Sequence, residues 1–258
     1  MHFICQMHKI YSAINVANCP LSIAIFRLFI FLRYFSENFW NTMVTNLSVS
    51  NSLVSEWVSD MRNVAVQQDR LRFRRNLERI GEVTAYEISK LMKYKTISIT
   101  TPMAETTSTV LETQPVITTI LRAGLPLYNG LLNYFDRADS GFIGAYRKHD
   151  PGENFEIYQE YITSPELANR PLIVADPMLA TGSSLILAIS ALTEFEQPSE
   201  IHIVTAIACT VGIKAVSEKF PQAHIWAAAI DDELTSRGYI VPGLGDAGDL
   251  AFGKKRQG

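Results

Sequence analysis

Apolar positions along this chain fall into two periods. From Asp69 onward Phe73, Leu77, Ile80, Ile88 and Leu91 recur close to one stripe with charges between them, which predicts a helix buried on one face. Short apolar runs without alternation stand at 116–121, 172–175, 200–208 and 223–230; such runs predict strands covered on both faces. Between them the pattern returns to helix. Pro126 fits a first helical turn that Leu127, Leu131, Leu132 and Phe135 carry on, since proline lacks only an N–H that has no partner there. A second helix opens at Thr181-Gly182-Ser183-Ser184, and a third covers 211–220. Strands alternating with helices predict an α/β fold, a mainly parallel sheet core flanked by helices.

Other stretches depart from that rhythm. Residues 141–146 and 155–162 read as strands on either side of the exposed Arg147-Lys148-His149-Asp150-Pro151-Gly152, a β-hairpin arm with a mobile charged tip. Residues 96–103 alternate in bulk and break at Pro102, as a short strand or an extended linker. Residues 46–63 are rich in Ser and Asn and read as a polar lead-in. Arg70, Arg72, Arg74, Arg75 and Arg79 make the first half of the Asp69 helix basic, read as a solvated face balanced by nearby acids.

The start of the chain is different in kind. Residues 21–35 are strongly apolar but interrupted by Arg27 and Arg33, short for a membrane span of about 20 residues and without a clean signal-peptide cleavage site. The expected organisation is an apolar leader over 1–45 and one domain over 46–258, with translation starting at Met43; a surface helix is the alternative, and no membrane span is expected. Composition adds limits. An apolar content of 47% and a charged content of 19% suit a globular domain, and a net charge of −3 argues against non-specific nucleic-acid binding. Cys5, Cys19 and Cys209 are too scattered for a disulfide framework or zinc cluster, consistent with a cytoplasmic setting.

The candidate chemistry sits at strand ends. After the 172–175 run comes Asp176, then a turn and the Thr181-Gly182-Ser183-Ser184 helix start. Open α/β sheets bind ligands at the carboxyl ends of their strands, and helix N-termini offer unpaired N–H groups to phosphate. Asp176 on the strand side suits sugar hydroxyls, so the loop suits a phosphorylated sugar. Arg122 stands at the equivalent turn after the 116–121 strand. No Gly-Lys-Ser/Thr follows the central loop, which excludes a P-loop. Gly243-Leu244-Gly245-Asp246-Ala247-Gly248 satisfies G-x-G-x-x-G, but no following helix is expected and no βαβ unit fits, so it reads as backbone approaching a small ligand. His149, His202 and His224 show no ligand spacing.

Asp176-Pro177-Met178-Leu179-Ala180-Thr181-Gly182-Ser183-Ser184 resembles the ribose-diphosphate loop of the phosphoribosyltransferases, in the form typical of the uracil phosphoribosyltransferases. Tyr239-Ile240-Val241-Pro242-Gly243-Leu244-Gly245-Asp246-Ala247-Gly248-Asp249 resembles the uracil segment of that type I family. Ile120-Leu121-Arg122-Ala123-Gly124-Leu125 and Gly144-Ala145-Tyr146-Arg147 match further segments in the expected order. The resemblance implies formation of UMP and diphosphate from uracil and phosphoribosyl diphosphate, a pyrimidine-salvage step. It also implies a small C-terminal hood over the base, Mg2+ chelated mainly by the substrate, and a homodimer or larger homo-oligomer. By the same resemblance, Asp176 through Ser184 hold ribose and 5′-phosphate, and Arg122 and Arg147 contact the diphosphate. Ile240, Gly245, Asp246 and Ala247 hold uracil largely through backbone groups, and Asp246 also faces the diphosphate side. Asp176, Arg122 and Asp246 are the expected catalytic residues. Two departures stand out: Lys148-His149-Asp150-Pro151-Gly152 replaces an acidic, threonine-containing run, and Ser183 replaces a second glycine. Asp249 is read as structural. The rival readings are a pyrimidine regulator on the same fold and a homologue that binds uracil or nucleotide without turnover.

Overall fold

Seven strands run in the order β1 (Val44–Asn46), β10 (Ala223–Asp231), β9 (Glu200–Cys209), β7 (Pro171–Ala175), β4 (Val116–Leu121), β5 (Asp139–His149) and β6 (Phe155–Thr163). All neighbours are parallel except β5 with β6. The computed structural model describes residues 44–149, 155–194 and 196–255, with the backbone alone at 145–149 and 155–160. Of the expected leader over 1–45, residues 1–43 lie outside the described residues, while Val44 and Thr45 belong to β1 and the compact unit starts at Val44. Of the expected charged tip, Arg147, Lys148 and His149 continue β5 instead, because their backbone goes on pairing with Ile157, Glu156 and Phe155, and residues 150–152 lie outside the described residues.

β7 explains why the central run has no polar alternation. All five of its residues are buried, because helices cover both faces of a parallel sheet. Successive side chains point to opposite sides. Ile173 and Ala175 join the core shared with α1 (Leu53–Arg62), α2 (Arg70–Ser89) and α3 (Leu125–Tyr134). Leu172 and Val174 join the core under α4 (Ser183–Leu192) and α5 (Thr210–Lys219).

Several expectations need correction. Residues 46–63 are no mere lead-in: Ser52 caps α1 by accepting from Val54 N, and Val54, Val58 and Met61 are buried. Their i, i+4, i+7 spacing is an apolar stripe that the surrounding Ser and Asn residues mask. Leu91, placed on the buried stripe of α2, is 53% exposed because the helix ends at Ser89. Of residues 96–103, read as a short strand or an extended linker, 96–100 bear out the strand: they lie in β2 (Tyr94–Thr100), which pairs antiparallel with β3 (Glu105–Leu111) as a separate ribbon, and 101–103 lie in the turn between the two. β3 has little buried surface, so no alternation of apolar residues announces it. Part of the basic face of α2 is balanced by acids, as Arg72–Asp60 and Arg75–Glu78.

Two of the histidines without ligand spacing are nonetheless neighbours. His202 and His224 are direct register partners across β9 and β10. His224 stacks on Trp226 at 4.2 Å and pairs with Thr45 Oγ1 of β1 at 2.8 Å. Burial pushes His224 down to about 4, and neighbouring His202 adds to it; burial also lowers His202, against the opposing effect of Glu200. The unfolded histidine titrates near 6.5, so below that pH the unfolded chain binds more protons and stability falls until the folded pKa is passed. The thermal midpoint is expected to drop as pH falls from about 6.5 to about 4, and less in His224→Gln. Equal acid sensitivity of the two proteins in parallel melts would contradict this.

Candidate active site

The carboxyl ends of β4 and β7 are adjacent, with Thr119 opposite Ala175, so Arg122 and Asp176 emerge side by side. The contact is close. Thr119 Oγ1 donates to Ala175 O at 3.0 Å, and a Cβ on Gly124 would lie 2.7 Å from the same carbonyl. Only glycine permits that approach, which seats the arginine turn against the strand leading to Asp176.

After Asp176 the chain leans onto β9. Asp176 N donates to Val204 O at 3.0 Å, and Pro177 O accepts from Ala206 N and Ile207 N at 3.1 and 3.0 Å. Met178 and Leu179 form β8 beside Ile207 and Ala208, a two-residue strand too short for sequence pattern to mark. Thr181 and Ser183 hydroxyls lie 3.1 Å apart. Gly182 caps α4 with φ 84°, a left-handed conformation that costs side-chain residues energy. Ala180, Thr181 and Ser184 are half-buried and Ser183 is exposed. The loop therefore opens to solvent at the N-terminus of α4.

The C-terminal segment folds over this end of the sheet. β11 (Glu233–Leu234) and β12 (Ile240–Val241) pair as a small hairpin. Ile240 is 5% exposed with its side chain in the core, which leaves its backbone as the part available to a ligand. Gly245 has φ 95° and open space where a Cβ would stand. A short helix, α6 (Ala247–Phe252), does follow the glycine-rich loop, contrary to expectation. Its six residues had no room for a recognisable stripe, yet Ala247 and Ala251 are buried. Asp246 is its N-cap: Oδ1 accepts from Asp249 N at 2.9 Å.

This hood touches both loops. A Cβ on Gly238 would lie 3.6 Å from Thr181 Cγ2, and one on Gly248 would lie 3.8 Å from Ala123 Cβ. Arg122 Nη2 donates to Asp249 Oδ1 at 3.4 Å and to Gly253 O at 3.3 Å. Arg122, Asp176 through Ser184, and the 238–249 segment are thus brought together. Arg147 is placed in β5 opposite Ile157; its side chain lies outside the described residues.

Sequence reasoning missed the parts that hold the hood. Arg62 of α1 makes two 2.7 Å bonds to Asp231 of β10 and donates to Gly243 O at 3.0 Å. Asp231 also accepts from Gly243 N at 3.0 Å, and Gln67 donates to Leu244 O at 3.3 Å. Arg74, read as part of a solvated face, donates to Ala251 O at 2.7 Å. No local motif signals these pairs, because all but the Asp231–Gly243 bond join residues far apart in sequence. Cavities of about 220 and 780 Å³ do not include Arg122, Asp176 or Asp246 in their linings. Among the described residues, no cluster of three His, Cys, Asp or Glu is arranged to hold a metal ion, and no helix is long and apolar enough to cross a membrane.

Comparison with known proteins points one way. Residues 48–254 match the family model described as uracil phosphoribosyltransferase. A uracil phosphoribosyltransferase from Porphyromonas gingivalis is 49% identical over 213 residues, covering 82% of this chain and 99% of that protein. One from Methanococcus vannielii is 41% identical over 202 residues, covering 77% and 85%. A solved protein structure from Aquifex aeolicus superposes with a TM-score of 0.74 at 31% identity, covering 82% of this chain and 98% of that one.

Proposed function

The chain belongs to the uracil phosphoribosyltransferase family, and from that premise we propose how its residues join uracil to phosphoribosyl diphosphate. The C1′–O bond breaks and its electron pair leaves with diphosphate. A bond forms from C1′ to a uracil ring nitrogen, which loses its proton, and UMP results. No side-chain nucleophile is required.

One observation carries the assignment of roles: the hood meets both loops at the carboxyl ends of adjacent strands, at Gly238 beside Thr181 and Asp249 beside Arg122. A base held by the hood then faces a sugar held by the loop. Asp176 accepts from the ribose hydroxyls, and residues from Pro177 to Ser184 bind ribose and 5′-phosphate at the start of α4. Arg122, with Arg147 from the hairpin, stabilises charge growing on the diphosphate. Ile240, Gly245, Asp246 and Ala247 offer backbone groups to the edge of uracil.

The donor set fits a Mg2+ chelated by substrate. Magnesium is commonly held by one or two carboxylates together with phosphate oxygens, and Asp176, Asp246 and Asp249 are the carboxylates at hand. When bound it would neutralise diphosphate charge. We place the enzyme in the cytoplasm as a homo-oligomer, as expected of the family.

Incubation with phosphoribosyl diphosphate and one base at a time tests the reading. UMP should form from uracil, with cytosine and hypoxanthine used on the order of 10⁴-fold less efficiently, because a mismatched edge leaves buried polar groups unpaired. No UMP from uracil, or equal use of the three bases, would overturn it.

A further inference from the structure

Arg122 occupies an unusual position for a residue offered to a ligand. Its Nε is buried and has no hydrogen-bond partner among the described residues. Nη2 reaches Asp249 Oδ1 and Gly253 O at 3.4 and 3.3 Å, both beyond the usual N–H···O range. The guanidinium is therefore guided by α6 without its donor capacity being filled. α6 is itself well anchored: Ala247 and Ala251 are buried, and Arg74 holds Ala251 O at 2.7 Å.

We propose that Asp249 is the positioning residue for Arg122, coupling the hood that seats the base to the arginine that receives the leaving diphosphate. The inference rests on the uracil phosphoribosyltransferase reading of the site. The connection is short. Asp246 Oδ1 accepts from Asp249 N at 2.9 Å, and Asp249 Oδ1 accepts from Arg122 at 3.4 Å. Asp249 also competes for the arginine's charge, but that competition is weak. The pair is long and its side chains are 40% and 33% exposed, and pairs so screened by solvent contribute little. Orientation is worth more, since a misplacement of about 1 Å can cost 10²-fold in rate.

A double-variant cycle on the full chain tests this, using Asp249→Asn, Arg122→Ala and the pair together. Rates of UMP formation and calorimetric binding of inorganic diphosphate are the readouts. Asp249→Asn keeps the side-chain shape and leaves the Asp246 cap in place. It should lower kcat and weaken diphosphate binding by about 10- to 100-fold, with the KM for uracil little changed. In the Arg122→Ala background it should add almost nothing. Unchanged diphosphate binding in Asp249→Asn would overturn the proposal. So would full additivity, or a change confined to the KM for uracil, since either marks a prop for the hood alone. Absence of UMP in the unmodified protein would instead remove the reaction; diphosphate binding that still depended jointly on Asp249 and Arg122 would keep the positioning role.

Discussion

Asp176→Asn is expected to lower UMP turnover by about 10²–10³-fold, the loss typical when one preorganised electrostatic partner is removed from a reacting centre. Asp246→Asn should fall in the same range while its fold stays intact, for a reason the structure supplies. Asp246 caps α6 through Oδ1, and asparagine caps a helix about as well as aspartate. The substitution therefore removes charge without removing the cap, and any loss of turnover reports the chemistry of the site. Asp246→Ala removes both and should also lower the melting temperature. Steady-state rates of the purified variants, each with its thermal melt, check this. Near-normal turnover in both asparagine variants would overturn the site assignment.

A second large effect belongs to stability. Arg62 and Asp231 meet in two 2.7 Å bonds, with their side chains only 22% and 7% exposed. Breaking such a pair by Arg62→Ala or Asp231→Ala leaves the other charge buried and should cost about 3–5 kcal/mol. For a chain of this length, that corresponds to a fall of about 10 °C in melting temperature. Replacing both partners by apolar residues, Arg62→Met with Asp231→Leu, should recover part of the loss. Recovery stays partial because Gly243 N still loses its acceptor. Denaturant melts of the three variants decide the matter, and a loss below about 1 kcal/mol in either single variant would contradict it.

The two substitutions also divide what sequence alone makes legible from what it hides. The place of Asp176 is readable because its signal is local: an apolar run, a carboxylate, a turn and a helix start follow one another in a dozen or so residues. The same holds for Arg122 and for the buried strands, whose unbroken apolar character follows from helices on both faces. Arg62 and Asp231 carry no such grammar. One closes a helix, the other ends a strand, and their pairing exists only once the sheet has brought β10 beneath α1. Asp249 falls between these cases. Its motif was plain, but only contact with Arg122 distinguishes it from an ordinary helix residue. α1 was missed for a simpler reason: a short stripe of Val54, Val58 and Met61 lies in a stretch dominated by Ser and Asn. β3 escaped because a ribbon with little buried surface has no apolar period to betray it.

The strand order has a consequence for how the chain reaches this state as it leaves the ribosome. β1 comes first among the described strands, yet Val44 pairs with Ile225 of β10, and β10 in turn pairs with β9. A nascent chain that has emerged as far as β7 already holds β4, β5, β6 and β7, which pair among themselves. It holds no partner for β1. Synthesis at about 5–20 residues per second leaves that strand waiting for about 10–35 s, during which its edge is open to chaperones or neighbouring nascent chains. Among the described strands of the main sheet, the first one made is the last to find its neighbour, and the C-terminal segment that folds over the candidate site is made later still.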